Sequence, residues 1–335
     1  MRLTGATFAI CLLFLALLVP LQANSSLKPI DVGIRIDDLN EVDELHERWD
    51  VSGELITSWM EPQLKYRAID PSDDHHDISR NTVQLPNIGF ANAVDVPTFR
   101  RVDLFARPDG RVFRIDVFRA LLSTHLDLRR FPFDTETLPL IVLPLGHDIN
   151  RFSLIPDRTR SQLVGTSYSG LSQWRLMGLT MKRYTENYFG DPEDGVKFGL
   201  QVRRNAQSYI WKFILPLCLI VVISWISFWL APEDFKSKDL LGTAVTTLLI
   251  VVAFTLSITA LLPRTSYLTY IDAFLLTCFL FVVAAIGSIV GINALELRGS
   301  DRHALSLRKL AGTVLPVAFL FVQVAVFLYF EKRAL

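Results

Sequence analysis

The chain has 335 residues, 50% of them hydrophobic, and its 34 Lys plus Arg are matched by 34 Asp plus Glu. A formal net charge of zero leaves no electrostatic footprint for nucleic acid or an acidic partner. The three cysteines, Cys11, Cys218 and Cys278, all fall inside apolar runs, so the polar part of the chain has no disulfide framework.

Residues 1–23 carry an early Arg2, an apolar run and small residues near Ala23, which fits a secretory signal peptide, with a signal anchor as the alternative. Either reading puts residues 24–208 outside the cytoplasm. From about residue 30 the pattern is short alternating segments cut by turns. In RRVDLFARPDGRVFRIDV, two period-two runs flank Pro108, Asp109 and Gly110, which predicts a hairpin. VKFGLQVRR repeats the alternation with Val196, Phe198, Leu200 and Val202 on one face. Many such segments without long helical patterns predict an extracellular antiparallel β-sandwich of immunoglobulin-like type.

Residues 209–335 are different. Apolar runs near 210–230, 240–262, 268–292 and 310–330 each have about the 20 residues that a spanning helix needs. They predict a four-helix transmembrane bundle with its C-terminus on the outer side. The connection ELRGSDRHALSLRK between the third and fourth runs carries Arg298, Arg302, Arg308 and Lys309, as a cytoplasmic connection should.

The second run has an unusual face. At about 100° per residue, Asp239, Gly242, Thr246, Leu249, Ala253, Leu256, Ser257 and Ala260 form one stripe, apolar in the middle and polar at its ends. Hydroxyls that only glue helices together are one reading. A water pathway with a constriction at Leu249, Ala253 and Leu256 and a charged mouth at Asp239 is the other, and it requires a ring of subunits. Thr255 and Thr259 point away from the stripe and are expected to bond back to carbonyls.

Other motifs are spread along the chain. LDLRRFPFDTETL at 126–138 contains Phe131-Pro132-Phe133-Asp134; SWM at 58–60 offers a buried Trp; Arg204 and Pro216 stand before and inside the first run; LLPRTSYLTYID spans 261–272. In order and spacing these residues resemble the prokaryotic branch of the pentameric ligand-gated, or Cys-loop, ion channels. Thr124 and Leu138 stand where that family's namesake cysteines would be, in keeping with bacterial members.

The resemblance implies a homopentamer around a central pore, without a cofactor or a metal, in a bacterial inner membrane. Its stimulus would be an unknown small-molecule agonist or protons, and its cargo monovalent cations, since cation-conducting members carry an acid at the position of Asp239. The same resemblance gives a coupling role to Phe131, Pro132, Phe133, Asp134, Arg204, Pro263 and Tyr267. It makes the hairpin at 184–196, with Tyr184, Glu186, Tyr188 and Phe189, the cap of an agonist site. Other site loops map near 87–92 and 144–148. Against cations stand Lys236 and Lys238 beside Asp239. A membrane-bound enzyme lacks any recognisable catalytic spacing here, and a non-conducting sensor or adhesin would leave the striped helix unexplained.

Overall fold

The computed structural model describes residues 27–70, 74–148, 151–164, 173–188, 191–230, 237–259 and 265–332. The N-terminal half holds β1 (Lys28–Asp43), β2 (Arg48–Met60), β3 (His76–Asp77), β4 (Ile88–Phe90), β5 (Thr98–Ala106), β6 (Arg111–Ser123), β7 (Thr135–Pro144), β8 (Phe152–Pro156), β9 (Gln162–Leu163), β10 (Trp174–Tyr188) and β11 (Asp191–Arg204). One sheet runs β3-β5-β6-β2-β1-β8 with β9 also on β1, and the other runs β10-β11-β7-β4.

Side chains that alternate along each strand meet between the sheets. Val196, Phe198, Leu200 and Val202 of β11 and Leu138, Leu140 and Val142 of β7 are all buried, together with Trp49 and Trp59 from β2. The predicted β5–β6 hairpin is present, and its turn closes on Gly110 at φ 85°, a conformation that costs a residue with a Cβ. The sandwich expected from the alternation is borne out, with one added feature: β1 pairs in parallel with β8 and with β9, so that edge of the sheet is mixed.

The C-terminal half contains α1 (Leu215–Trp229), α2 (Ser237–Thr259), α3 (Tyr270–Leu297) and α4 (Asp301–Lys332). A helical turn at Gln207–Tyr209 and a π-helical turn at Ile210–Ile214 lead into α1. Pro216 has no N–H to give to the residue four back, and the backbone passes that point through the wider turn. Gln207–Trp229, Tyr270–Leu297 and Asp301–Lys332 are long and apolar enough to cross a membrane, and Ala244–Thr259 is a shorter apolar segment of α2. Phe274, Leu275, Cys278, Val282, Ala285 and Ile289 form the buried row of α3 at helical spacing.

Most of the connection between the third and fourth runs is helical within these bounds. The break is only Arg298–Ser300, with Gly299 at φ 71°, and the stretch that reads as a basic loop is the first turns of α4. Arg308 explains the extension, because it is buried and donates through Nη2 to the Ser227 carbonyl at 2.9 Å, satisfying an acceptor near the C-terminal end of α1.

Candidate functional site

Three parts of the molecule hold the residues of interest: one face of α2, the seam between sandwich and helices, and the β10–β11 hairpin. On α2, Ala244, Thr247, Val251 and Ile258 are buried against the bundle. Gly242, Thr246, Ala253 and Ser257 are exposed, and Leu249 and Leu256 are 65% and 67% exposed, large for leucines in an apolar helix. The exposed arc is wider than the stripe, since Val245, Ile250 and Val252 also face outward. In a ring of chains these flanks can meet neighbouring subunits while the stripe meets the axis.

Thr255 donates to the Val251 carbonyl at 2.9 Å and Thr259 to the Thr255 carbonyl at 2.8 Å. The stripe hydroxyls do the same: Thr246 donates to the Gly242 carbonyl at 3.0 Å and Ser257 to the Ala253 carbonyl at 2.9 Å. With its proton spent on the helix, each oxygen keeps only acceptor capacity for an outside partner. Asp239 lies in the first helical turn, seven residues before Thr246, where the N-terminal end of the helix dipole favours an anionic group. Ala260 lies outside the described residues.

The seam is built around the chain between β6 and β7. Asp127 accepts from the Arg129 N–H at 3.1 Å and starts a 3₁₀ turn at Leu128–Arg130. Pro132, joined to Phe131 by a cis bond, separates two rings that face different partners. Phe131 is buried edge-on against Tyr209 at 4.8 Å, whereas Phe133 meets Tyr270 at 5.4 Å and Phe327 at 5.8 Å, on α3 and α4. The Tyr267 hydroxyl accepts from the Leu128 N–H at 3.1 Å and donates to the Leu126 carbonyl at 3.4 Å. Arg129 stands 5.5 Å over the same ring, and Arg130 reaches Glu331 at the end of α4 at 3.3 Å. Pro263 lies outside the described residues. Just beyond Tyr267, Thr269 and Asp272 form a capping box that starts α3.

Above this contact sits a buried ion pair. Arg204 Nε donates to Asp134 Oδ1 at 2.8 Å, Nη2 to Oδ2 at 3.1 Å, and Nη1 to Glu44 Oε1 at 2.7 Å. The guanidinium lies 4.1 Å over Trp174 and 4.7 Å over Phe131. Burial pulls its pKa down, but the Asp134 and Glu44 carboxylates outweigh burial and raise it, so the cation is held charged. Glu44 and Trp174 were not legible as parts of this cluster, because their positions in sequence are remote from both partners, and nothing in the sequence turns Tyr209, five residues beyond Arg204, toward Phe131.

Glu136 was missed as well. It occupies a buried, core-facing position of β7, in the row continued by Leu138, Leu140 and Val142, and its Oε1 has no hydrogen-bond partner among the described residues. Burial, and after it the Asp134 charge, push its carboxyl up to about 8. The available signal was an acid at the head of an apolar period-two row.

The hairpin at 184–196 continues the strand ladder through its described residues. Tyr184 pairs with Gly195, Glu186 with Glu193 and Tyr188 with Asp191. Continuing the ladder satisfies backbone groups that an irregular loop would leave to water, and a two-residue connection can close an antiparallel pair. Phe189 lies outside the described residues. Tyr184 is half-buried with Lys197 Nζ 5.9 Å from its ring centre, and Thr185 donates to Asp194 at 3.1 Å. At the other mapped loops, Asp148 accepts from the Asn87 N–H at 2.8 Å, and the Asn92 amide donates to the Ser123 and Pro139 carbonyls at 2.9 and 2.8 Å. Asn92 thus ties the two sheets together.

Comparison with known proteins agrees with this architecture. Residues 14–206 match the neurotransmitter-gated ion-channel ligand binding domain, and residues 213–321 match the neurotransmitter-gated ion-channel transmembrane region. The chain is 26% identical over 305 residues, 90% of its length and 83% of the relative's, to a proton-gated ion channel from Gloeobacter violaceus. It is 26% identical over 313 residues to a gamma-aminobutyric acid receptor subunit beta from Lymnaea stagnalis, covering 85% of this chain and 60% of the subunit. A beta-like subunit from Drosophila melanogaster is 24% identical over 298 residues, with 82% of this chain and 58% of the subunit covered. With a ligand-binding sandwich joined to a transmembrane bundle, the chain belongs to the neurotransmitter-gated ion-channel family.

Proposed function

We propose that five copies of this chain surround a cation pathway lined by α2 and opened from the extracellular side. The observation that carries the reading is the Tyr267 hydroxyl bridging Leu126 and Leu128, which fastens the sandwich to the segment between α2 and α3. A shift of the sandwich therefore has a direct mechanical route to the pore helix. Leu249, Ala253 and Leu256 form the apolar gate, Asp239 supplies a ring of carboxylates at the cytoplasmic mouth, and the acceptor oxygens of Thr246 and Ser257 suit a cation. Lys238 is long enough to turn outward to water or lipid head groups, whereas Asp239 is not. Phe131, Pro132, Phe133, Asp134, Arg204, Pro263 and Tyr267 couple the two halves. Residues 1–23 serve as a signal peptide, residues 24–208 lie on the periplasmic side of a bacterial inner membrane, and residues 209–335 hold the spans.

The stimulus enters at the β10–β11 hairpin, where Tyr184, Glu186, Tyr188 and Phe189 cap the site, if it is an amine, or at titratable groups if it is the proton. The test is current across a planar bilayer containing the purified protein while gamma-aminobutyric acid is added or the extracellular pH is lowered. A stimulus-dependent unitary current is expected. For an amine stimulus, Tyr188→Ala should raise the half-activating concentration roughly tenfold, from loss of a cation–π contact of about 0.5–2 kcal/mol, and leave unitary conductance unchanged. Silence under both stimuli would contradict the reading, and an unchanged dose–response would remove Tyr188 from the site.

A further inference from the structure

Glu136 is a buried carboxyl with no evident structural use. It takes a position in β7 that Leu138, Leu140 and Val142 fill with hydrocarbon, directly across from Val202 of β11. Charge-bearing groups around it come from neighbouring segments: Asp134 just before β7, Arg204 on β11, Asp127 on the turn that precedes them, and Tyr267 on the segment before α3. The Asp127 backbone amide supports the carboxyl, while Oε1 is left without a partner among the described residues. An ionised carboxylate in such a place bears the cost of a desolvated charge beside Asp134, and a neutral carboxyl does not.

The same turn borders a cleft of about 460 Å³ open to the outside, lined by Glu44, His46, Glu47, His125, Leu126, Leu128 and Tyr267 among others. His46 is engaged by Asp43 at 2.7 Å and His125 by Glu47 at 2.8 Å. The cleft therefore reaches Leu126 and Leu128, on either side of the Asp127 amide that supports Glu136. Ionising Glu136 would put a second carboxylate two residues from Asp134, competing for the Arg204 guanidinium that pairs with Asp134.

We propose that Glu136 is a proton-binding site of the channel: with the proton on, Arg204 holds Asp134 and Glu44 undisturbed and the turn stays docked on Tyr267; with the proton off, the docking loosens and the pore uncouples from the sandwich. This rests on the reading of the chain as a gated channel. It adds to that reading the chemical identity of one ligand, the proton, and the atoms that take it.

The experiment uses the intact channel in proteoliposomes, with the extracellular pH stepped from 6 to 9.5 and the internal pH fixed, for the parent and for Glu136→Gln, which keeps the shape and stays neutral. Current through the parent is expected to fall about tenfold with a half-effect near pH 8, where burial has placed this carboxyl, and the Gln variant is expected to lose that step. The melting temperature of both proteins in detergent over the same range, extended to pH 4, is an independent readout. A carboxyl whose pKa is raised from 4.5 in the open chain to about 8 in the fold contributes stability that is full below about 4.5 and lost as the pH rises through 8. The parent should therefore lose melting temperature across that window relative to Glu136→Gln. The same pH step in both currents, or superimposable melting profiles, would overturn the proposal. Differing melting profiles with no current from the parent at any pH would instead sink the channel reading, and the gating role with it, while leaving Glu136 as a titrating group.

Discussion

Leu249→Ser is expected to leave the pentamer assembled and to lower the stimulus needed for half-opening by at least tenfold. The Leu249 side chain is 65% exposed on the isolated chain, and in the proposed gate its closed-state contacts come from other copies of itself and from Ala253 and Leu256 of its neighbours. Burying a leucine is worth about 1.5–3 kcal/mol, and a pore ring multiplies any change by the number of subunits. A loss of about 0.3 kcal/mol per copy, far less than full burial, sums over about five copies to roughly 1.4 kcal/mol, which is tenfold in an equilibrium. Serine would also supply a hydroxyl that lets water cross where the proposed ring of leucines excludes it. The dose–response of parent and variant at matched expression decides the point. Parallel curves would place the constriction elsewhere on the helix.

Breaking the Asp134–Arg204 pair should have the largest effect on stability. Both side chains are almost fully buried, at 1% and 0% exposure. Removing one partner of such a pair strands a charge and costs about 3–5 kcal/mol. Arg204→Ala is therefore expected to lower the melting temperature by on the order of 10 °C. It also empties the space between Trp174 and Phe131, where the guanidinium now lies. The double variant Asp134→Ala with Arg204→Ala should be more stable than the two single losses add up to, because neither charge is left alone. Arg204→Lys separates folding from coupling. It keeps the charge but cannot hold both Asp134 oxygens and Glu44 at once. A lysine variant that melts like the parent yet needs a stronger stimulus would assign the fork geometry to coupling. One that also gates like the parent would reduce the pair to a structural fastener.

The sandwich and the spans were readable because each rests on a local pattern. Gly110 closes the β5–β6 turn, the alternation in 196–202 lines the core, and apolar runs of spanning length become α1, α3 and α4. What could not be read depends on distant partners. The parallel seating of β8 beside β1 joins residues 28–32 to 152–156, with no turn between them to announce it. The first turns of α4 look like a loop until Arg308 is seen to cap the end of α1. At the seam, the family resemblance names both Asp134 and Arg204, but Glu44 approaches Arg204 from a turn 160 residues away in sequence. The hairpin at 184–196 shows the opposite case: its sequence is polar and bears Gly and Pro, and the strand register still runs from Tyr184 and Gly195 to Tyr188 and Asp191 because the flanking ladder is already in place.

The most direct test of a cation pathway through α2 is the reversal potential of the open channel across an NaCl gradient, measured for the parent and for Asp239→Ala. A ring of carboxylates at the first turn of the helix should make the parent reverse near the sodium potential, and its removal should move the reversal toward zero. A parent that reverses near the chloride potential would contradict this and would put Lys238, not Asp239, at the mouth of the pore.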